Sequence, residues 1–368
     1  MCPDFKKIAY AGGFWSTNIG NSFYNIGVVH QLENTLSNGK VYFLSDHPAH
    51  YWNQKGKNPV NAFKYLDYFE SDYIVFSGPC LNKQFPLIWG ETLKALTKRG
   101  TKIILMSVGC SSYSPEEIKI CRDVLKKYPP YLLMTRDEYT YKNFNDLAEY
   151  SYNGICGAFF LPDAYQYKRE NAKDMIVMNF DGGFKMSRTS HIVNDFFSKY
   201  GIENEPKIHS IQPKSNQNVI KVNLFNKDYF LEYDYKPYHL ANLFSKTEDK
   251  YPTNIDQHPI IRTKHRTDGV STSEGYNKPN TFLSDIPYNY LDIYANAHAT
   301  FSNRVHACVA TLAYGDPAMF FSNTKRSKLF ERFNSLDNIN KSLASIPPET
   351  LEYEKLNQLE YLKEIINN

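Results

Sequence analysis

Short apolar runs alternate with helical stretches along this chain, and the alternation occurs twice. The first series begins at Lys7–Ala11 and extends to about residue 165, and the second begins at Asp174–Phe180. Strands that alternate with helices favour a mainly parallel sheet covered on both faces. Since 368 residues are also too many for one ordinary domain, we predict two α/β halves joined near Leu161–Asp174.

The predicted elements follow the apolar runs and the proline signals. In the first half the predicted strands are Lys7–Ala11, Val41–Ser45, Tyr73–Ser77, Lys102–Val108 and Tyr131–Thr135, and the predicted helices are Phe23–Leu36, Pro86–Lys98 and Pro115–Lys127. In the second half the predicted strands are Asp174–Phe180, Lys207–Ile211, His258–Thr263, Ala299–Ser302 and Pro317–Phe321, and the predicted helices are Thr189–Tyr200, Pro237–Lys246 and Arg304–Tyr314. The polar and aromatic stretch 216–235 receives no assignment.

Domain boundaries follow from the same pattern. We predict an N-terminal domain over residues 1–168, a C-terminal domain over 169–340 and a helical segment over 341–368. Within that last segment, Glu349–Ile366 has the pattern of a charged amphipathic helix that packs back across the domains. Ligands of open parallel sheets bind beyond the carboxyl ends of the strands, so the cleft between the two sheets is the predicted site.

The charge balance gives no case for a nucleic-acid-binding protein. The chain has 42 Lys+Arg and 39 Asp+Glu residues, and its formal net charge is +3. Nucleic-acid binding needs dense neutralisation of phosphates, so any anion site here must be local. Six scattered cysteines without a C-x-x-C pair disfavour a zinc site, and we predict no metal and no cofactor. The absence of a signal-peptide pattern and of a long apolar run predicts a cytoplasmic protein.

The strongest candidate site is the strand–helix–strand segment around Arg304. The predicted strand ends at Ser302 and Asn303, which are residue types that cap helices. Arg304 and His306 therefore fall in the first helical turn, where free N–H groups favour an anion. Arginine adds a fork of donors for carboxylate or phosphate, and histidine adds a transferable proton. Lys325 follows the next strand and should lie near the same sheet edge.

These residues also have structural interpretations. Arg304 could form a surface ion pair with Asp292 or Asp316, and His306 could be a core histidine. Lys325 could belong to a solvated basic turn. The convergence of Arg, His and Lys on one helix start favours instead a small anion with two or three charges.

A second basic segment follows the predicted strand that ends near Arg262. His265 and Arg266 come directly after it. Basic side chains after a strand again suggest an anion near the cleft, although an exposed basic loop is the alternative interpretation.

Two uncharged or acidic loops complete the candidates. In the first loop, Asn18, Gly20 and Asn21 offer a tight turn and hydrogen bonds, but the pattern matches neither a dinucleotide fingerprint nor a P-loop. Asp181 follows the first strand of the second half, where it could orient a sugar hydroxyl, act as a base or only shape a turn.

The segment Ile293–Phe330 resembles the Arg-Leu-His signature of the polysaccharide pyruvyl transferase family. It contains Arg304-Val305-His306-Ala307, a helix of small residues, Gly315-Asp316-Pro317, a strand and Lys325. Further similar segments occur in the expected order in the N-terminal half: Thr17–Asn21, Asp72–Leu81, Ser107–Gly109, Thr135–Glu138 and Leu161–Ala164. Asn21 stands where the family usually has Asp, and Pro79-Cys80 where it has glycines.

The resemblance implies a fold of two Rossmann-like domains that face each other across a cleft, as in GT-B glycosyltransferases, with a C-terminal helix. It implies transfer of the enolpyruvyl carbons of phosphoenolpyruvate to two hydroxyls of one sugar, which makes a cyclic pyruvate ketal. Arg304 would bind the carboxylate or phosphate, and His306 would protonate the methylene carbon. The acceptor, on the N-terminal side, would be a surface polysaccharide or its lipid-linked or nucleotide-linked precursor, and the enzyme could work at the inner face of the membrane.

Two other functions are open from the sequence. A glycosyltransferase of the same architecture would use a nucleotide sugar instead of phosphoenolpyruvate. A non-catalytic carbohydrate-binding or assembly protein would need neither the proton of His306 nor the charge of Arg304.

Overall fold

In a computed structural model, the chain folds around two parallel sheets. The structure describes residues 5–13, 18–45, 64–167, 174–181, 205–213, 219–232, 251–265 and 278–367. The strands are β1 (Lys6–Gly12), β2 (Gly39–Ser45), β3 (Tyr73–Leu81), β4 (Lys102–Cys110), β5 (Leu132–Thr135), β6 (Tyr150–Asn153), β7 (Met175–Asn179), β8 (Lys207–His209), β9 (Val219–Leu224), β10 (Lys227–Glu232), β11 (Asn254–Ile255), β12 (His258–Thr263), β13 (Thr281–Phe282), β14 (Ala297–Ser302) and β15 (Ala318–Phe320). The α-helices are α1 (Gly20–Thr35), α2 (Phe85–Arg99), α3 (Pro115–Lys127), α4 (Glu138–Phe144), α5 (Leu161–Ala164), α6 (Pro287–Ala295), α7 (Val305–Ala313) and α8 (Pro348–Asn367).

The first sheet is parallel throughout, with the strand order β2-β1-β3-β4-β5-β6. The chain leaves β1 on one side to form β2 and returns on the other side to form β3. Such a reversal of strand order opens a crevice beyond the carboxyl ends of the two strands. Helix α1 begins beside this crevice and packs Val28 and Leu32 on Ile8 and Tyr10 of β1.

The second sheet has the order β11-β12-β7-β14-β15, with β13 paired to β12. Strands β7, β12, β14 and β15 are parallel, and β11 is antiparallel to β12. A separate antiparallel sheet, β8-β10-β9, packs Val222 and Leu231 against Ile176 and Ile260 of the second sheet. Each parallel sheet therefore has its own core.

Two features join the halves. The C-terminal helix α8 returns to the first half, where Leu362 and Ile366 lie in the core of the first sheet and Gln358 Nε2 donates to Gln31 Oε1 at 2.7 Å. A third core also contains Phe23 of α1 and Cys308 of α7, so it spans both halves. The predicted fold class is confirmed: two Rossmann-like α/β domains face each other in a GT-B-like arrangement with a C-terminal helix.

Most predicted elements that lie in the described residues are present with ends shifted by a few residues. The predicted helices Thr189–Tyr200 and Pro237–Lys246 lie outside the described residues. The unassigned stretch 216–235 contains the hairpin β9–β10, whose turn residues Phe225 and Asn226 have φ of 52° and 63°. Phenylalanine rarely adopts positive φ, so no turn signal marked this hairpin in the sequence. The predicted domain boundaries stay predictions.

None of the helices in the described ranges is both long and apolar enough to cross a membrane.

Helix α1 lies so close to the turn at residues 157–160 that one added methyl group on the helix should destabilise the protein. A Cβ on Gly27 would lie 1.8 Å from the carbonyl oxygen of Gly157, which is backbone and cannot rotate away. We expect Gly27→Ala to lower the free energy of unfolding by about 1–3 kcal/mol. The matched control is Gly90→Ala in α2, where a Cβ meets no atom within 4 Å and should stabilise the helix by about 0.5–1 kcal/mol. Urea unfolding of both variants checks this, and equal midpoints would contradict the close packing.

Candidate functional site

The candidate site lies where the carboxyl ends of both parallel sheets meet. Asp181 follows β7, His265 follows β12 and Arg304 follows β14. From the first domain, Arg136 follows β5. The domains touch directly here, because the N–H of Ile19, just before α1, donates to the carbonyl of His265 at 2.8 Å.

The junction of β14 and α7 presents Arg304 and His306. The Ser302 hydroxyl accepts the N–H of Arg304 at 2.8 Å and donates to the carbonyl of Asn179 at 2.8 Å. Arg304 is the residue before the helix, with extended φ and ψ of −111° and 122°, so α7 begins one residue later than predicted. His306 is the second residue of α7. Ser302 therefore shapes the junction, and its predicted contact with a substrate stays a prediction.

Asp181 is the counter-ion of Arg304. Its Oδ2 lies 3.0 Å from Arg304 Nε, and its Oδ1 accepts the N–H of His265 at 3.1 Å. Asn303 holds Asp181 in place, because its amide bonds the backbone N–H and carbonyl of Asp181 at 3.0 and 2.8 Å. Arg304 therefore pairs with Asp181 rather than with Asp292 or Asp316. Asn303 supports this ion pair through its hydrogen bonds to the backbone of Asp181.

Arg136 is buried without a counterpart for two of its nitrogens. It is 1% exposed, and its Nε and Nη1 have no hydrogen-bond partner among the described residues. The adjacent carboxylate of Asp137 accepts from the N–H of Thr140 at 2.8 Å and from Tyr113 OH at 2.9 Å. A Cβ on Gly109 would lie 2.7 Å from Arg136 Nε, so glycine leaves the room that the guanidinium fills. An unpaired buried charge is costly, which makes this guanidinium a candidate ligand for an anion.

Arg326 adds a third guanidinium. It lies in the 3-10 helix Lys325–Arg332 that follows β15, and its Nη2 donates to Ser111 Oγ of the first domain at 2.8 Å. Burial, and then the charges of the other two arginines, lower the pKa of Arg326. Lys325, the residue predicted for this place, has an exposed side chain. In this segment the buried cation is therefore Arg326, and the predicted contact of Lys325 with a substrate stays a prediction.

His306 lies among these three arginines. Part of its side chain reaches solvent, yet protein atoms surround the ring, with Tyr24 at 5.1 Å between ring centroids and Cys156 Sγ at 3.9 Å from Nε2. Burial lowers the pKa of His306 well below its ordinary value, and neighbouring groups lower it further. The neighbouring groups are Arg136, His265, Arg304 and Arg326. The imidazole is therefore neutral near pH 7 until an anion balances these charges.

His265 is buried at the contact between the domains. Its Nε2 lies 2.7 Å from Tyr294 OH, and its ring packs edge-on against Phe23 of α1. Burial, and then the charge of Arg304, lower the pKa of His265. This histidine borders the site from the inside, and its predicted contact with substrate stays a prediction.

The first loop reaches the same place, as the sequence suggested. Asn18 Oδ1 accepts from Arg304 Nη2 at 3.5 Å, and Asn18 Nδ2 donates to Asn21 Oδ1 at 3.3 Å. A Cβ on Gly20 would lie 2.7 Å from His265 Nδ1 and 3.4 Å from His306 Cβ. Glycine at position 20 therefore allows α1 to start against the two histidines.

The side chain of Arg262 has partners inside the second half, and its predicted contact with a substrate stays a prediction. Its guanidinium forms a buried ion pair with Glu205 at 2.9 Å and donates to the carbonyls of Pro252 and Pro279. Arg262 belongs to β12 itself, so its side chain points from a face of the sheet and not from the carboxyl edge. Arg266, predicted beside it, lies outside the described residues.

Sequence reasoning missed Arg136, Arg326 and Cys156 as site residues. The segment Thr135–Glu138 already resembled a family segment, and this was the available signal for Arg136. No local signal separated Arg326 from its neighbour Lys325, and Cys156 precedes a turn whose position depends on packing against α1.

Comparison with known proteins decides the family. A sequence model of polysaccharide pyruvyl transferases matches residues 18–325, which include every segment described above at the cleft up to the start of the 3-10 helix Lys325–Arg332. The chain belongs to the polysaccharide pyruvyl transferase family. No curated protein matches this pyruvyl transferase family member.

Several solved structures are similar to this family member in overall fold. The MnaA–UDP structure from S. aureus is 8% identical with a TM-score of 0.49, covering 99% of this chain and 98% of its own. A UDP-N-acetylglucosamine 2-epimerase from Rickettsia bellii is 10% identical with a TM-score of 0.48, covering 99% and 98%. A UDP-GlcNAc 2-epimerase from Methanocaldococcus jannaschii, in complex with UDP-GlcNAc and UDP, is 13% identical with a TM-score of 0.46, covering 96% and 92%.

Proposed function

We propose that this protein transfers the pyruvyl group of phosphoenolpyruvate to two hydroxyls of one sugar, in a surface polysaccharide or its precursor, and forms a cyclic pyruvate ketal. The observation that carries the proposal is the group of three guanidiniums around His306. Arg136 comes from the first domain and Arg304 and Arg326 come from the second, so a ligand held by all three bridges the cleft.

The charges suit a small molecule with two anionic groups. Phosphoenolpyruvate carries a carboxylate and a phosphate on one carbon, and both groups fit planar guanidinium forks. Arg304 already shares its charge with Asp181, whereas two nitrogens of Arg136 have no partner in the described ranges. The start of α7 adds backbone N–H groups to the same anion site.

His306 is the group that can supply the proton the chemistry requires. A proton added to the methylene carbon of the donor breaks the carbon–carbon π bond and leaves an oxocarbenium-like centre at the next carbon. A sugar hydroxyl attacks that centre, phosphate then leaves with its oxygen, and the second hydroxyl closes the ring. The arginines stabilise the anionic donor and the departing phosphate throughout.

The proposal is tested by mass spectrometry of candidate acceptors incubated with the protein and phosphoenolpyruvate. We expect an acceptor mass increase of about 70 Da, which is phosphoenolpyruvate minus phosphoric acid, with one phosphate released per ketal formed. Free, lipid-linked and nucleotide-linked sugars form the acceptor panel, and pyruvate replaces phosphoenolpyruvate as the control donor.

Two outcomes would overturn this function. Release of a nucleoside diphosphate from a nucleotide sugar, with no reaction of phosphoenolpyruvate, would identify a glycosyltransferase. Sugar binding that is unchanged in Arg304→Ala, with no turnover of either donor, would identify a carbohydrate-binding protein.

A further inference from the structure

Cys156 contacts the ring of His306 from the first domain. Its Sγ lies 3.9 Å from Nε2 of the ring, and the cysteine is fully buried. Cys156 belongs to the segment after β6, whereas His306 belongs to α7 of the other domain. The contact therefore crosses the cleft at the proposed acid.

The backbone around Cys156 is held from three sides. The N–H of the next residue, Gly157, donates to Ser107 Oγ at 2.7 Å, and Ser107 itself has a φ of 57° within β4. A Cβ on Gly157 would lie 2.7 Å from Val28 Cγ2, so the turn is pressed against α1. On the other side, the N–H of Ile155 donates to a glutamine of α8 at 2.8 Å. A non-glycine residue at positive φ is strained, and such strain is retained where a position must be exact to a fraction of an ångström.

A thiol can form a hydrogen bond with the imidazole of His306 in either protonation state of the ring. It can donate weakly to Nε2 while the imidazole is neutral, and it can accept from the Nε2 proton once the imidazole is charged. A second observation favours an anion in this pocket independently: Nε and Nη1 of buried Arg136 have no hydrogen-bond partner among the described residues.

We propose that Cys156 is a positioning residue for His306, whose ring it orients from the opposite domain so that the acid is aligned with the donor. The inference rests on the proposed function for its kinetic consequence. The contact itself does not depend on which donor the protein uses.

The kinetic test compares Cys156→Ala and Cys156→Ser with Cys308→Ala. Cys308 is an equally buried thiol in α7, and its Sγ faces the carbonyl of Met319 rather than the ring. We expect Cys156→Ala to lower kcat about tenfold to a hundredfold, with the KM for phosphoenolpyruvate changed less than about twofold. Cys156→Ser should recover most of the rate, and Cys308→Ala should leave kcat unchanged. A kcat equal to wild type in Cys156→Ala, or an equal loss in Cys308→Ala, would overturn the positioning role.

A second readout separates this inference from the proposed function. In protein labelled with ¹⁵N-histidine, the Nε2 resonance that disappears in His306→Gln should move in Cys156→Ala and stay in place in Cys308→Ala. If no donor reacts with the wild type but this resonance moves, the proposed function fails and the contact stands. If phosphoenolpyruvate reacts but the resonance does not move, the contact fails and the function stands.

Discussion

Arg136→Gln is expected to weaken the binding of phosphoenolpyruvate at least about a hundredfold and, at the same time, to raise the melting temperature of the ligand-free protein. The loss follows from two charge-assisted hydrogen bonds that the unpaired Nε and Nη1 would make to the donor, each worth about 1.5–3 kcal/mol. The gain in stability follows from removal of a buried charge whose Nε and Nη1 have no hydrogen-bond partner in the part of the chain that the structure describes. Calorimetric titration and thermal unfolding measure the two effects.

The loss of donor binding together with the rise in melting temperature distinguishes an arginine that binds a ligand from one that only supports the fold. Arg122→Gln is the matched control, because Arg122 pairs with Asp146 at 2.6 Å near the surface and away from the cleft. That variant should leave donor binding unchanged. Arg136→Lys keeps the charge but not the planar fork, and we expect it to recover only part of the affinity. A fall in melting temperature together with normal donor binding in Arg136→Gln would show that the arginine only supports the fold.

Binding of phosphoenolpyruvate at pH 7 should bring about one proton into the protein, and His306→Gln should abolish both this uptake and most of the turnover. Burial and the surrounding positive groups keep the pKa of His306 well below 6.5 in the empty site. A bound anion reverses the sign of the local charge and raises that pKa, so the proton arrives with the donor. Loss of a general acid costs about 10²–10⁴ in rate, and His306→Gln should show a loss of kcat in this range.

The proton uptake is measured by calorimetry in buffers of different ionisation enthalpy. Because the complex holds more protons than the free protein, donor affinity should fall as the pH rises, by up to about tenfold per pH unit. His209→Gln is the control, since His209 pairs with Glu232 in the separate antiparallel sheet and should not affect uptake. Uptake that persists in His306→Gln would assign the proton to another group and remove the basis for His306 as the acid.

The same lowered pKa has a consequence for stability without ligand. The unfolded chain binds a proton on His306 below about pH 6.5, whereas the folded empty protein does not. Stability therefore falls as the pH drops below 6.5, and His265, whose pKa is lowered in the same direction, adds to the fall. His306→Gln should flatten the decline in melting temperature between pH 6.5 and the lowered pKa.

The elements of the fold were largely predictable because their signals are local. The bounds predicted for helix Pro115–Lys127 and strand His258–Thr263 match those of α3 and β12. In both cases the residues that indicate the ends, such as a proline or a basic residue, lie inside the element and not elsewhere in the chain. The hairpin β9–β10 was not predicted because its turn places a phenylalanine at positive φ, a conformation that this residue type rarely adopts.

The candidate site also has a part that local sequence signals predict and a part that they do not. The geometry around Arg304 and His306 follows from the local sequence, since a strand, the polar pair Ser302-Asn303 and a helix of small residues follow one another directly. The partners of Arg262 could not be predicted, because basic density near a strand end does not show which face a side chain takes inside the strand. Nor could the burial of Arg326 beside the exposed Lys325, because the turn of a 3-10 helix decides which of two neighbouring side chains is buried.

The sequence by itself determined the two α/β halves, the helix start that carries Arg304 and His306, and the family resemblance. These depend on periodicity and on neighbours within a few residues along the chain. Only the tertiary structure decided that Arg136, Arg326 and Cys156 meet His306, and that Asp181 pairs with Arg304. Those contacts join segments far apart in the chain, and burial and charge act on them only after both sheets have brought their carboxyl edges together.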